Sequence, residues 1–156
     1  MSRSLPNGTV HAHDVVLHPG AVILLPMVSA RQVCLIRNFR VAVGETLIEL
    51  PAGTIDNRED PLETARRELA EETGYRAGKL EKLCEFFMSP GILNERMHVF
   101  LATDLTSGAM ALESGEEIQT EIVDWDDALA MIDAGQIRDA KTLAALMYYD
   151  RIRRRK

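Results

Sequence analysis

A chain of 156 residues is long enough for one domain with a sizeable core, and its 46% hydrophobic and 27% charged content is ordinary for a globular protein. No apolar run approaches the roughly 20 residues that span a bilayer, and the N-terminus lacks a secretory apolar stretch. We therefore expect a cytoplasmic protein without a membrane partner. The net charge of −6 also disfavours nucleic acid, because its binders usually show a basic face.

The N-terminal part predicts a short arm followed by β-strands. Residues 1–17 begin with a polar stretch and predict an irregular arm, separate from a single domain over 18–156. The apolar runs 21–28 and 32–39 predict a hairpin, and Pro26 indicates a bulge or an edge position in its first strand. A further short strand is expected at 46–50.

The next segment predicts the best-marked helix of the chain. Asp60 is a good N-cap, Pro61 suits the first helical position, and Glu63 completes a pattern similar to a capping box. Leu62, Ala65 and Leu69 share one face at helical spacing. Gly74 is expected to end the helix in a left-handed conformation.

The C-terminal half predicts further strands and two helices. The strands are expected at 79–88, 97–102 and 118–125, and the helices at 126–134 and 141–151. Because strands and helices do not alternate regularly, the pattern favours an α/β sandwich around a mixed sheet. Cys34 and Cys84 lie in apolar runs and predict reduced core thiols rather than a disulfide.

Three glutamates on the predicted helix suggest chemistry. Glu68 and Glu72 are four residues apart and share a face, with Glu71 beside it. Like charges at this spacing oppose helix formation unless a cation lies between them. Oxygen ligands without histidine or cysteine suit Mg²⁺ or Mn²⁺ rather than Zn²⁺. The alternative is a solvated acidic face with an Arg67–Glu71 salt bridge.

The spacing of the whole segment favours the metal site. It matches the Nudix box in full, and the matching residues are Gly53, Glu59, Arg67, Glu68, Leu69, Glu71, Glu72, Gly74 and Tyr75. The resemblance to the Nudix family implies an α/β/α sandwich with a mixed sheet. It also implies Mg²⁺-dependent hydrolysis of a nucleoside diphosphate linked to a further group, a reaction in which Mn²⁺ can replace Mg²⁺.

The same resemblance implies roles for individual residues. Glu68, Glu71 and Glu72 belong to the metal-binding set, and Glu68 and Glu72 are also the first candidates for catalysis. The carbonyl of Ala52, just before the box, is a metal ligand in similar enzymes. Glu59 and Arg67 resemble the family's structural pair, in which the arginine holds the loop carboxylate to the helix.

The flanking sequences resemble the ADP-ribose pyrophosphatase branch of the family. IELPAG precedes the box and FMSPG follows it, which implies substrate contacts for Pro90, Gly91 and Glu95. Arg40 matches the branch's arginine and is a candidate for bidentate phosphate binding. Arg37, which stands where the branch usually has glutamine, is a further candidate for substrate binding. A plain turn at 89–91 and a surface role for Arg40 are the alternative interpretations.

The branch also carries a glutamate on the loop before a late strand, as a metal ligand or base. Glu116 is the first candidate for that glutamate and Glu117 the second, with a solvated acidic loop as the alternative. ADP-ribose is then the expected substrate, split into AMP and ribose 5-phosphate. The rival interpretations are another Nudix substrate and a non-catalytic ADP-ribose sensor. The resemblance further implies a homodimer.

Overall fold

The computed structural model describes residues 1–56, 58–112 and 117–154. Within these residues the chain forms nine strands, three α-helices and a terminal π-helical turn. In chain order they are β1 (Ser2–Ser4), β2 (Val10–Ala12), β3 (Ala21–Ser29), β4 (Gln32–Arg40), β5 (Glu45–Glu49), β6 (Ala52–Thr54), α1 (Pro61–Thr73), β7 (Tyr75–Phe87), β8 (Arg96–Ser107), β9 (Ile118–Asp124), α2 (Trp125–Asp133), α3 (Ala140–Tyr148) and the π-helical turn (Tyr149–Arg154).

Seven of these strands form one mixed sheet. Its order is β5-β4-β3-β8-β7, with β6 paired to β3 and β9 paired to β4. The β3–β8 pair is parallel, and the other pairs in this sheet are antiparallel. The mixed sheet expected from the irregular order of strands and helices is therefore confirmed.

Helices cover both faces of the sheet because β3 is apolar on both sides. Val22 and Leu24 belong to a buried cluster with Leu69 of α1. Ile23 and Leu25, which alternate with them, belong to a second buried cluster with residues of α2 and α3. A strand buried on both faces reads as a continuous apolar run, as residues 21–25 do. The expected α/β/α sandwich is confirmed.

Helix α1 begins and ends as its sequence predicts. The Asp60 carboxylate accepts a hydrogen bond of 2.8 Å from the Leu62 N–H, so Asp60 is the N-cap. Gly74 follows the last turn with φ of 73°, a left-handed conformation that glycine adopts without a Cβ clash. The cap fixes where the helix starts, and thereby which of its residues face the sheet.

The structure corrects several boundaries. The N-terminal arm is not irregular, since β1 and β2 form an antiparallel hairpin with exposed side chains. Strands β7 and β8 are longer than the predicted 79–88 and 97–102, because they pair with each other along nearly their whole length. Pro26 is not on an edge strand, although the β3–β4 register does shift just after it, between Met27 and Ser29.

Trp125 opens α2 rather than ending the preceding strand. Its side chain is 1% exposed, its Nε1–H donates to the Asp150 carboxylate at 3.1 Å, and its ring meets Tyr149 edge-on. The indole therefore joins α2 to the terminal turn.

Both cysteines, Cys34 and Cys84, are free thiols, as expected. Burial raises the pKa of the Cys34 thiol to about 12. Across the described part of the chain, every helix is too short or too polar to cross a membrane.

Candidate active site

Helix α1 carries two glutamates to the start of β6. Glu72 is only 3% exposed, and its Oε2 accepts a hydrogen bond of 2.9 Å from the Ala52 N–H. Glu68 lies one turn earlier on the same face, with a side chain 13% exposed. Two carboxylates are thus held against one strand, in an environment where desolvation strengthens their interactions with charge.

Gly53 leaves the space that the Glu68 carboxylate occupies. A Cβ built on Gly53 would overlap the carboxyl group of Glu68. Any side chain at this position would displace the Glu68 carboxylate. The first glycine of the motif therefore lets that carboxylate lie directly against the strand.

Arg67 organises the carboxylates around α1. Its guanidinium lies 2.8 Å from Glu68, 2.9 Å from Glu71 and 3.4 Å from Glu59. Burial alone would lower the pKa of Arg67, but the charges and hydrogen bonds of Glu68 and Glu71 outweigh it and raise that pKa. The arginine therefore stays charged and holds the loop carboxylate of Glu59 to the helix, as the sequence implied.

Glu68 and Glu72 line a cleft with two adjoining compartments, which share the wall residues Arg40, Ala52, Gly53 and Thr54. The first, here named the carboxylate compartment, has a volume of about 230 Å³ and adds Asn38, Asp56, Glu68 and Glu72. The second, named the lysine compartment, has about 280 Å³ and adds Ala21, Met88, Glu95, Met97, Asp139 and Lys141.

Arg40 stands between the two compartments. Its Nε and Nη2 donate to the two oxygens of Glu49, at 2.8 and 2.6 Å. Arg40, a candidate for bidentate phosphate binding, thus uses its Nε–Nη2 edge for a protein carboxylate. Phosphate contact is left to the rest of the guanidinium.

Glu49 is fully buried and also binds Lys141, whose Nζ lies 2.6 Å from Oε2. Burial alone would raise the pKa of Glu49, but the Arg40 hydrogen bond and the Lys141 charge lower it. That hydrogen bond to Glu49 is also the main reason why the pKa of Arg40 is raised. The three residues form one ionised network beside the cleft.

Arg37 is not brought into the cleft. Successive side chains of a strand point to opposite faces, so Arg37 faces away from Asn38 and Arg40. Its guanidinium binds Glu121 of the neighbouring β9 at 2.8 and 2.9 Å. The structure thus separates the two arginines that the sequence grouped together.

The segment after β7 contributes Glu95 to the lysine compartment. Pro90 and Gly91 lie in an exposed turn closed by hydrogen bonds from the Ile92 and Leu93 N–H groups to the Ser89 carbonyl. This turn reverses the chain so that Glu95 returns to the cleft. The proline and glycine are absent from the described lining residues of either compartment.

Only one of the two candidate loop glutamates lies within the described residues. Glu116 lies outside the described residues. Glu117 is exposed and directly precedes β9, whose first residue, Ile118, pairs in register with Asn38. The loop therefore rejoins the sheet beside a residue that lines the carboxylate compartment.

The donors of the carboxylate compartment fit a divalent cation. They are hard carboxylate oxygens, from Glu68, Glu72 and Asp56. Glu71, which lies 2.9 Å from Arg67, is not among the described residues that line this compartment. Among the residues that the structure describes, no three acidic, histidine or cysteine side chains form a ready-made metal cage. Mg²⁺ is usually bound by one or two carboxylates together with substrate phosphates, and the Glu68–Glu72 pair can supply those carboxylates.

Several residues beside the cleft were not singled out from the sequence. Among them are Asn38, Glu49, Asp56, Asp139 and Lys141. The start of α3, with Asp139 as its N-cap and Lys141 in its first turn, reaches the cleft. The sequence did carry a signal for Glu49. It is an acidic residue inside the apolar run of a strand, where burying an unpaired charge is costly.

The sandwich fold thus places a glutamate-bearing helix against a glycine strand, beside a cleft lined by carboxylates and an arginine. The NUDIX domain matches residues 16–146, and the chain belongs to the Nudix hydrolase family. Enzymes of this family typically depend on a divalent metal.

Relatives refine the position of the chain within the family. It is 39% identical to the ADP-ribose pyrophosphatase of Bacillus subtilis (strain 168), covering 92% of this chain and 79% of that protein. It is 41% identical to the GDP-mannose pyrophosphatase of Escherichia coli O1:K1 / APEC, covering 83% and 72%. A crystal structure of an ADP compounds hydrolase, 23% identical, shares the fold with a TM-score of 0.83, covering 96% of this chain and 81% of that chain. The expected ADP-ribose pyrophosphatase-like character is confirmed.

Proposed function

We propose that the protein hydrolyses a nucleoside diphosphate linked to a sugar, with ADP-ribose as the preferred substrate and AMP and ribose 5-phosphate as products. The observation that carries this proposal is the Glu68–Glu72 pair, which lines one compartment together with Gly53 and Arg40. The similarity to an ADP-ribose pyrophosphatase over 92% of the chain supports the substrate.

Mg²⁺, which Mn²⁺ can replace, is the proposed cofactor. Glu68, Glu72 and the backbone of Ala52 would hold it, with Glu71 as a more distant member of the set. Bound Mg²⁺ supplies positive charge that offsets the charge building up on the phosphoryl oxygens. Arg67 fixes the glutamates in place beforehand, since it already contacts both Glu68 and Glu71.

The remaining chemistry is assigned to the chain itself. Arg40 donates hydrogen bonds to a phosphate oxygen from the part of its guanidinium that Glu49 does not occupy. A water oxygen attacks one phosphorus, the bond to the bridging oxygen breaks, and that oxygen leaves on the second phosphate. A loop glutamate, Glu116 first and Glu117 second, takes the proton of the water.

GDP-mannose is the second candidate substrate. The observation in its favour is the 41% identity to a GDP-mannose pyrophosphatase, which is close to the 39% found for the ADP-ribose enzyme. Both compounds are nucleoside diphosphates joined to a sugar, so the same carboxylates and the same arginine serve either. They differ in base and sugar, away from the reacting bond.

A substrate panel tests the proposal. The protein is incubated with Mg²⁺ and ADP-ribose, GDP-mannose, a dinucleotide polyphosphate or an oxidised nucleoside triphosphate, and products are separated by chromatography. We expect AMP and ribose 5-phosphate from ADP-ribose at the highest kcat/KM, and no turnover after chelation by EDTA. Turnover of the triphosphate alone would reject the substrate class. The homodimer and the cytoplasmic location stay predictions.

A further inference from the structure

One wall of the lysine compartment is formed by α3, which lies outside the Nudix box. Lys141 comes from the first turn of α3, and its side chain is 12% exposed. Its Nζ binds Glu49 at 2.6 Å and Asp139 at 2.9 Å. The contact with Glu49 is a hydrogen bond, so the ammonium, which has three hydrogens, keeps donors for a ligand.

This wall is held rigidly against the strands. Asp139 caps α3, because its Oδ2 accepts 2.9 and 2.6 Å hydrogen bonds from the N–H and hydroxyl of Thr142. The Leu50 N–H in turn donates to the Thr142 hydroxyl at 2.8 Å. Lys141 is therefore fixed relative to Ala52, which lines both compartments.

The charges of this compartment argue against a phosphate as its occupant. Glu49 and Asp139 together offset the positive charges of Arg40 and Lys141. Glu95, with a side chain 18% exposed, adds one further carboxylate. An anion would meet no net positive charge here, whereas a neutral ligand can use both donors and acceptors.

The side chains also argue against a nucleobase. None of the described residues that line the lysine compartment is aromatic, so it offers no ring for a base to stack on. Met88, Met97 and Ala21 provide an apolar side, while Lys141 donates hydrogen bonds and Glu95 accepts them. A ligand with several hydroxyl groups on a small apolar frame suits this surface.

Resting on the proposed function, we propose that the lysine compartment binds the sugar attached to the diphosphate, with Lys141 and Glu95 contacting its hydroxyl groups. Asp139 and Glu49 act as positioning residues for Lys141. Because the compartment adjoins the one lined by Glu68 and Glu72, a diphosphate at those glutamates would place its sugar beside Lys141.

The test compares two substrates that differ only in the sugar. ADP-ribose carries it, and the β-methyl ester of ADP lacks it. In Lys141→Met, we expect KM for ADP-ribose to rise about tenfold, as for one lost hydrogen bond to a charged group, with kcat changed less than about twofold. KM for the methyl ester should stay at the wild-type value, and Lys141→Arg should restore part of the loss.

Glu95→Gln provides a second variant, since its carboxylate is outside the Glu49 network and lies 3.5 Å from His18 Nδ1. It should show the same sugar-dependent rise in KM. Lys79→Met is the matched control, because Lys79 is exposed on β7 and pairs with Glu81. Its constants should equal those of the wild type.

The outcomes separate the two proposals. An equal loss on both substrates, or no loss on ADP-ribose in Lys141→Met and Glu95→Gln, would overturn the sugar site while the hydrolase function stands. A wild-type protein that cleaves neither compound with Mg²⁺ would overturn the proposed function, and the sugar site with it.

Discussion

The two compartments of the cleft differ in how their charged side chains are paired. Around α1, one guanidinium, that of Arg67, contacts four carboxylates, from Asp56, Glu59, Glu68 and Glu71. Beside α3, the buried Glu49 is matched by Arg40 and Lys141. An excess of carboxylate attracts divalent cations, whereas a balanced network mainly holds its donors in place.

This difference assigns a separate part of the substrate to each compartment. The carboxylate compartment suits a metal-bridged diphosphate, and the lysine compartment suits a neutral group. Substitutions on the two sides should therefore differ in kind. Changes at α1 should alter turnover and metal binding, and changes at Glu49 should alter stability.

The largest effect is expected for Glu72→Gln, which removes one charge from the carboxylate compartment. We expect kcat to fall about a thousandfold, equivalent to roughly 4 kcal/mol of lost transition-state stabilisation. Steady-state kinetics with ADP-ribose and Mg²⁺ measure it, and circular dichroism checks the fold. Glu63→Gln on the same helix, where Glu63 is exposed and 3.7 Å from Arg66, is the matched control and should keep wild-type turnover. Wild-type turnover in Glu72→Gln would remove the metal role.

The next largest effect is expected for Glu49→Gln, which removes the carboxylate that pairs Arg40 and Lys141. Removing Glu49 from a buried ionic network leaves its partners unpaired, so the free energy of unfolding should fall by about 3 kcal/mol. Urea denaturation at pH 7 measures the change. Glu121→Gln is the control, because its pair with Arg37 is half-exposed and should contribute less than about 1 kcal/mol. Equal losses in the two variants would contradict the special role of Glu49.

A smaller effect is expected for Arg67→Met, which removes the group that orients the glutamates. Residues that orient metal ligands typically change metal affinity by 10–100-fold, and we expect about a tenfold weaker Mn²⁺ affinity. Calorimetric titration measures it. Arg66→Met, one residue away and paired with exposed Glu63, should leave the affinity unchanged. Unchanged affinity in Arg67→Met would show that the carboxylates need no such support.

The smallest effect concerns acid stability. The pKa of Glu49 is lower in the folded chain than its ordinary value, so the unfolded chain binds this proton more readily. The resulting stability is present above about pH 4.3, the ordinary glutamate pKa, and is lost as the pH falls through the lowered value. Urea midpoints measured from pH 6 to pH 3 should therefore fall more steeply in the wild type than in Glu49→Gln. Parallel curves would contradict this.

The key groups of the carboxylate compartment could be grouped from the sequence because they are local. Glu68 and Glu72 lie one turn apart on a single helix, and the caps at Asp60 and Gly74 fix where that helix begins and ends. The glycine that precedes them packs directly on Glu68. Short spacing along one helix translates directly into spatial proximity.

The lysine compartment escaped prediction because its contacts are distant in sequence. Lys141 and Glu49 are 92 residues apart and meet only after α3 docks on the sheet. The alternation of side chains along β4 did carry information, since Arg37 and Arg40 cannot share a face at odd spacing. The N-terminal hairpin was missed because its exposed strands lack the buried apolar face that gives strands their pattern.

The central claim is that carboxylates one helical turn apart collect divalent cations around a diphosphate. Paramagnetic resonance of Mn²⁺ with a non-hydrolysable methylene analogue of ADP-ribose tests it directly, in the wild type and in Glu68→Gln/Glu72→Gln. The account predicts Mn²⁺ bound by the wild type in the presence of the analogue, and loss of that signal in the double variant. The same stoichiometry and affinity in both proteins would contradict it.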